Sequence, residues 1–233
     1  MKKSALFVLL LTLISFQTGL IAQESSKLKM GLKVSPNIGW MSPTTKGYKS
    51  DGARLGATVG FIGDFYFAEN YALSSGFNFQ FLHGKQGFAD SILMENSAAM
   101  QTVDLTRKYN FIYVEIPVTI KMKTRTFGKI SYYGQIGLGT GFRIKASATD
   151  HYIKPNGQEV ENQEDYNYGT TLIRESVLVG IGCEISIDES SRIVLGLGYS
   201  NSLNNLLTGT NNKSRLREKS LFNYAELNLG FIF

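Results

Sequence analysis

The sequence predicts an all-β fold: an eight-stranded antiparallel up-and-down barrel that crosses a membrane, behind a leader removed on export. Three observations predict it. First, the last thirteen residues set Leu221, Ala225, Leu227, Leu229, Phe231 and Phe233 against Phe222, Tyr224, Glu226, Asn228, Gly230 and Ile232, and a period of two marks a strand. Second, seven upstream segments repeat this pattern, each with one apolar face and one polar or glycine-rich face. Third, the links between them alternate short and long. A bilayer offers no partner to backbone N–H and C=O groups, so strands cross it only as a closed ring.

The leader comes first. Lys2 and Lys3 give a positive start, Ala5 to Phe16 is an apolar run broken only by Thr12 and Ser15, and Leu20-Ile21-Ala22 offers a small-residue cleavage site before Gln23. The run is too short for the roughly 20 residues of a spanning helix, so residues 1–22 read as a signal peptide. Gln23 stands where a lipid-attached protein would carry Cys. Loss of Lys2 and Lys3 lowers the net charge from +5 to +3, and residues 23–233 form one domain.

The first strand, about Met30 to Trp40, sends Met30, Leu32, Val34, Ile38 and Trp40 to one face and Gly31, Lys33, Ser35, Asn37 and Gly39 to the other. The second, Arg54 to Phe67, turns Leu55, Ala57, Val59, Phe61, Phe65 and Phe67 outward and Arg54, Gly56, Thr58, Gly60 and Asp64 inward. In the third, Tyr71 to His83, Leu73, Phe77, Phe79 and Phe81 oppose Ser74, Gly76, Asn78 and Gln80. The fourth, Tyr109 to Lys123, opposes Ile112, Val114, Ile116, Val118, Ile120 and Met122 to Glu115, Thr119, Lys121 and Lys123. Pro117 within it cannot donate to a ladder, so a bulge or locally relaxed pairing is expected there.

The fifth strand, Ile130 to Lys145, sets Ile136, Leu138, Phe142 and Ile144 against Gln135, Gly137, Gly139, Gly141, Arg143 and Lys145. The sixth, Arg174 to Ile187, sets Val177, Val179, Ile181, Cys183, Ile185 and Ile187 against Ser176, Gly180, Gly182, Glu184 and Ser186. The seventh, Arg192 to Leu203, opposes Ile193, Leu195, Leu197 and Tyr199 to Gly196, Gly198, Ser200 and Ser202, and the C-terminal strand is the eighth.

Short links follow strands two, four and six (Ala68 to Asn70, Thr124 to Lys129, Asp188 to Ser191). Long ones follow one, three, five and seven (Met41 to Ala53, Gly84 to Lys108, Ala146 to Ile173, Asn204 to Ser220). This is the sorting of periplasmic turns and outer loops in bacterial barrels, and it places both termini in the periplasm. No segment after the leader is apolar for the 18 or more residues a helical span requires. Fifteen Phe and twelve Tyr with four Pro favour strands. The single Cys183 cannot form an internal disulfide and reads as apolar filler on the lipid face.

Tyr113-Val114-Glu115-Ile116-Pro117-Val118-Thr119-Ile120-Lys121, then Tyr133-Gly134-Gln135-Ile136-Gly137-Leu138-Gly139 and the Phe233 end, resemble the PorT-like outer-membrane barrel family of Bacteroidetes. The resemblance covers essentially the whole mature chain. It implies a barrel in the outer membrane, and for the name-giving member a part in type IX secretion.

Ten charged residues fall on the inward face: Lys33, Arg54, Asp64, Glu115, Lys121, Arg143, Lys145, Glu184, Arg192 and Glu226. They form either a charged conduit or a packed polar plug. Eight strands enclose little more than side chains, whereas a water channel needs about sixteen, and buried charges persist only when paired, so the plug is expected. His83 and His151 sit in no visible triad or metal-ligand spacing. Gly137-Leu138-Gly139-Thr140-Gly141 lies within a strand and lacks the helix on which a phosphate loop opens. Hence no catalytic residue, cofactor or metal is expected.

Recognition is left to the loops. The third long loop carries Asp150, Glu159, Glu161, Glu164 and Asp165 with Tyr152, Tyr166 and Tyr168; the fourth carries Lys213, Arg215, Arg217 and Lys219 beside Glu218. The basic loop is a candidate contact for lipopolysaccharide phosphates or an acidic partner, and the acidic loop for another protein or the basic loop itself. The reading is a monomeric, non-enzymatic envelope component of the bacterial outer membrane. Its expected partners are membrane lipid and lipopolysaccharide, the barrel-assembly machinery through the C-terminal strand, and secretion or envelope proteins, with no nucleic acid. A small porin-like channel is the alternative and a lipid-modifying enzyme the third reading.

Overall fold

Period-two alternation runs through the strands and is interrupted where the ladder shifts register. In the computed structural model, which describes residues 27–93, 100–154 and 157–233, nine strands run in chain order. These are β1 Leu28–Pro43, β2 Lys49–Ala68, β3 Tyr71–Leu93, β4 Met100–Lys123, β5 Ile130–Ile153, β6 Glu159–Asp165, β7 Ile173–Ser186, β8 Arg192–Ser202 and β9 Ser220–Ile232. Every neighbouring pair is antiparallel, and β1 pairs with both β2 and β9, closing the ring without β6. Eight strands therefore form the barrel. The leader expected over residues 1–22 lies outside the described residues.

Outward side chains form an apolar belt around the cylinder: Leu32, Leu55, Phe77, Ile120, Leu138, Ile181, Leu197 and Leu229 are all exposed. In a soluble protein so continuous a belt would be a liability, and lipid is the solvent it suits. Phe67 stacks near Tyr71 at the short-turn end, and Trp40 near Tyr199 toward the other, as interfacial aromatics do.

The ladders are irregular at several points. Around Pro117 the β3–β4 pairing skips from Ser75↔Val118 to Asn78↔Glu115 without changing register. The expected disturbance is thus a relaxed pairing and not a bulge, with Ser75 Oγ donating to the Pro117 carbonyl at 2.8 Å. A true bulge lies elsewhere: Ile112 opposes Lys145 and Tyr113 opposes Arg143, leaving Ile144 as an extra residue in β5.

Inward glycines let strands approach closely. A Cβ on Gly137 would lie 2.1 Å from the Val118 carbonyl oxygen and 2.5 Å from the Thr119 Cα. Because those obstacles are backbone, Gly137→Ala is expected to cost about 3 kcal/mol, the upper end for overpacking, measured as a lowered urea midpoint for the refolded barrel.

Three long links differ from expectation. Met41 to Ala53 shrinks to residues 44–48, since β1 runs to Pro43 and β2 starts at Lys49. Gly84 to Leu93 and Met100 to Lys108 are strand, with β3 and β4 pairing on to Leu93↔Met100. Ala146 to Ile173 is likewise mostly strand, since β5 runs to Ile153 and turns back as β6, from Ser147↔Asp165 to Ile153↔Glu159. The barrel therefore rises well above its apolar belt on one side.

Candidate functional site

The inward face of β4, read residue by residue from the short-turn end, is a section through the lumen. Lys123 and Lys121 come first, then Thr119, Pro117 and Glu115, then Tyr113, Phe111 and Tyr109, and finally Arg107. Each level meets inward residues of other strands.

At the lowest level two carboxylates and three cations interlock. Lys121 Nζ is 2.7 Å from Asp64 Oδ2 and 2.6 Å from Glu184 Oε1. Glu184 also pairs with Lys123 and with Arg192, at 3.1 Å for the latter, while Ser74 Oγ donates to Asp64 at 2.5 Å. Asp64 and Glu184 are wholly buried, which carboxylates tolerate only with such compensation. Lys121 also lies 4.7 Å from the centre of the Tyr133 ring.

Above this lies a small cavity of about 70 Å³, beside which Lys33 pairs with Glu226 at 3.6 Å and Ser35 donates to Asn228 at 2.8 Å. Next comes Arg174, completely buried. Its Nη1 reaches Glu115 Oε2 at 3.1 Å and Gln80 Oε1 at 3.4 Å, Nη2 reaches Ser200 Oγ at 2.6 Å, Nε reaches Ser202 Oγ at 2.9 Å, and its guanidinium lies over Tyr224. A buried guanidinium with every nitrogen engaged is a fixed structural element.

A dry layer closes the lumen over Arg174. Tyr109, Phe111, Tyr113, Phe222, Met41 and Leu82 are fully buried and packed together, capped by Leu206 and Leu207 from the link between β8 and β9. That link is anchored at several points. Leu206 N donates to the Ser220 carbonyl, Asp90 Oδ1 accepts from Asn212 N, and Asn211 Nδ2 donates to the Ala89 carbonyl. Arg107 holds Asp150 through two nitrogens at 2.5 and 2.6 Å and lies 3.7 Å from the buried Glu218, which accepts from Tyr166 Oη at 2.6 Å. Burial and the facing Glu218 push the Tyr166 and Tyr48 hydroxyls well above their ordinary pKa.

The ten charges expected on the inward face separate as follows. Asp64, Lys121, Glu184 and Arg192 share the lowest cluster; Glu115 meets Arg174; Lys33 meets Glu226. Arg143 bonds the Thr170 carbonyl and hydroxyl. Arg54, in the irregular stretch of β2 between Ala53 and Ala57, departs from the group: it bonds the Tyr109 carbonyl and the outward-pointing Asn110, because the shifted register there breaks the alternation. Lys145 departs from expectation: the bulge at Ile144 reverses the alternation, so Lys145 is exposed, and Ala146 and Ala148 turn inward in its place. Arg174 escaped the sequence reading although it stands in phase with Ser176 and Glu184. Arg107 escaped it because its segment read as a loop.

Lys213, Arg215, Arg217 and Lys219 all stand exposed on the outer cap, and Arg215 adopts a left-handed φ of 56°. The acidic and basic loops do meet, through Tyr166 and Glu218 and through backbone bonds from Thr171 N to the Leu206 carbonyl and from Thr208 N to the Gly169 carbonyl, with no ion pair between them among the described residues. His83 Nδ1 lies 2.7 Å from Asn110 Oδ1 and His151 Nε2 lies 3.8 Å from Glu159. Among the described residues no three His, Cys, Asp or Glu side chains group as metal ligands. In the short turn before β8, backbone amides of Ser191 and Ser190 hold the Asp188 carboxyl down to about 2.

The family profile described as outer membrane protein beta-barrel domain matches residues 21–208. No curated protein matches the chain in sequence. Among solved structures it is similar to Neisserial surface protein A (NspA), at 9% identity with a TM-score of 0.50, covering 90% of this chain and 98% of that one. Weaker likenesses include the outer membrane protein OprG of Pseudomonas aeruginosa (8% identity, TM-score 0.37, 88% and 94% covered). Another is the outer membrane protease OmpT of Escherichia coli (7% identity, TM-score 0.41, 88% and 95% covered).

Proposed function

The chain belongs to the outer membrane protein beta-barrel domain family and resides in the outer membrane, and from that premise we propose that it is a non-conducting, non-enzymatic barrel that serves the envelope through its outer cap. The observation that carries this reading is the tethered link between β8 and β9. It plugs the mouth with Leu206 and Leu207 while displaying Lys213, Arg215, Arg217 and Lys219 to solvent. Four cations fixed on one ordered segment suit lipopolysaccharide phosphates or an acidic protein surface. A link to type IX secretion is supported by the PorT-like segment around Glu115-Ile116-Pro117 and is part of this proposal.

Arg215→Glu with Arg217→Glu is expected to weaken lipopolysaccharide binding or remove a co-purifying envelope protein, with unchanged heat-modifiable mobility. Unchanged lipopolysaccharide binding and an unchanged set of partners would remove the cap reading. Trapped cargo in a deletion strain would mark the secretion role, and an altered lipid A mass profile would instead point to a lipid-modifying enzyme.

A further inference from the structure

The mouth at the short-turn end is unlike the sealed outer one. It opens into a cavity of about 860 Å³, the size of a small-ligand site. Its wall carries Lys27, Lys29, Lys123, Arg125 and Arg192, with Glu69 and Glu189 as the acidic members and Tyr66 as the inner aromatic.

Lys123 and Arg192 of this wall reach inward to the Asp64–Lys121–Glu184 cluster. Glu184 is shared among Lys121, Lys123 and Arg192, and Asp64 is taken by Lys121. Lys29 adds a fourth cation, directly across the ladder from Asp64. Two buried carboxylates thus face four cations, and the excess positive charge sits between low-dielectric walls, where uncompensated charge is costly and attracts anions. Arg192 points to the same conclusion: its Nη1 binds Glu184, but its Nε is buried with no hydrogen-bond partner, and a buried unsatisfied donor calls for an acceptor. Tyr66 Oη accepts from Lys123 Nζ at 3.3 Å, leaving its own proton to donate.

We propose that this mouth binds a phosphate-bearing anion, held by Lys29, Lys123 and Arg192 with Tyr66 as a further donor. Ammonium, guanidinium and phenol donors converging from three sides match an oxyanion with several acceptor oxygens better than a single planar carboxylate. The phosphate belongs either to a lipid headgroup of the facing leaflet or to a soluble periplasmic compound. This assignment is independent of the outer-cap reading.

The test uses the full mature barrel refolded into nanodiscs. In one arm, pyrophosphate is titrated calorimetrically into barrels in phosphatidylcholine. In the other, barrels from mixed phosphatidylcholine and phosphatidylglycerol discs are analysed by native mass spectrometry for retained phosphatidylglycerol. Saturable binding is expected in at least one arm. It should weaken roughly tenfold or more in Lys29→Gln and in Arg192→Gln, as for loss of a charge-assisted contact, and stay unchanged in Lys46→Gln with Lys49→Gln, which removes exposed charges at the opposite mouth. Pyrophosphate binding identifies a soluble source, and retention of phosphatidylglycerol alone identifies the headgroup. If Arg192→Gln fails to fold, Lys29→Gln decides, because Lys29 makes no ion pair among the described residues. Absence of binding in both arms, equal binding by the folded Lys29→Gln variant, or equal loss in the opposite-mouth variant overturns the proposal.

Discussion

Arg174→Ala is expected to unfold at a much lower urea concentration than the wild-type barrel, with a loss of about 3–5 kcal/mol, the cost of breaking a buried ion pair from one side. The truncation strands Glu115, itself buried, beside a void where the guanidinium stood, and leaves Gln80, Ser200 and Ser202 without their shared donor. The same loss should not follow when both charges are removed together. Arg174→Met combined with Glu115→Gln keeps volume without an orphaned charge and is expected to recover most of the stability. Urea titrations of the refolded proteins, read by intrinsic fluorescence and heat-modifiable mobility, separate the two outcomes. Equal loss in the single and double variants would show that Arg174 matters by packing alone.

Lys121→Met is the second large effect, again about 3–5 kcal/mol. Among the described residues Lys121 is the one cation paired with both Asp64 and Glu184; without it the Ser74 hydroxyl is the remaining side-chain hydrogen bond to Asp64 among them. Removing the stranded charge as well separates charge from packing: Lys121→Met combined with Asp64→Asn is expected to recover part of the loss. No recovery in the double variant would assign the loss to packing.

Much of this architecture was legible because lipid enforces it. Within the belt, outward positions must be apolar, and Val114, Ile116, Val118, Ile120 and Met122 on β4 display that rule while Glu115, Thr119 and Lys121 take the other face. The same strand continues past Ile112, where water and not lipid lies outside, and its pattern inverts without losing phase. Asn110, Lys108 and Thr106 point out, whereas Tyr109, Leu105 and Val103 are buried inside. A reading tuned to apolar-out alternation stops there and sees a loop. That inversion is the signal that would have found the extensions of β3 and β4, the aromatic layer and Arg107.

The site was legible in part for related reasons. Inward charges on unbroken strands, such as Lys33, Asp64 and Glu184, follow from parity alone. Lys145 did not, because a single extra residue at Ile144 reverses every side chain beyond it, and no residue there announces the bulge. Which inward charge pairs with which depends on ladder register across strands far apart in sequence, as for Arg174 and Glu115, and period-two reading carries no such information. The tethering of the link between β8 and β9 by Asp90 and Asn211 likewise rests on contacts over a hundred residues apart.

The central claim is that the ring closes around a lumen sealed by the lower charge cluster, by Arg174 and by the aromatic layer beneath Leu206 and Leu207. Single-channel recording of the purified, refolded wild-type barrel in planar bilayers tests it most directly. A flat baseline over the range of holding potentials is the predicted result; discrete current steps of reproducible amplitude would contradict it.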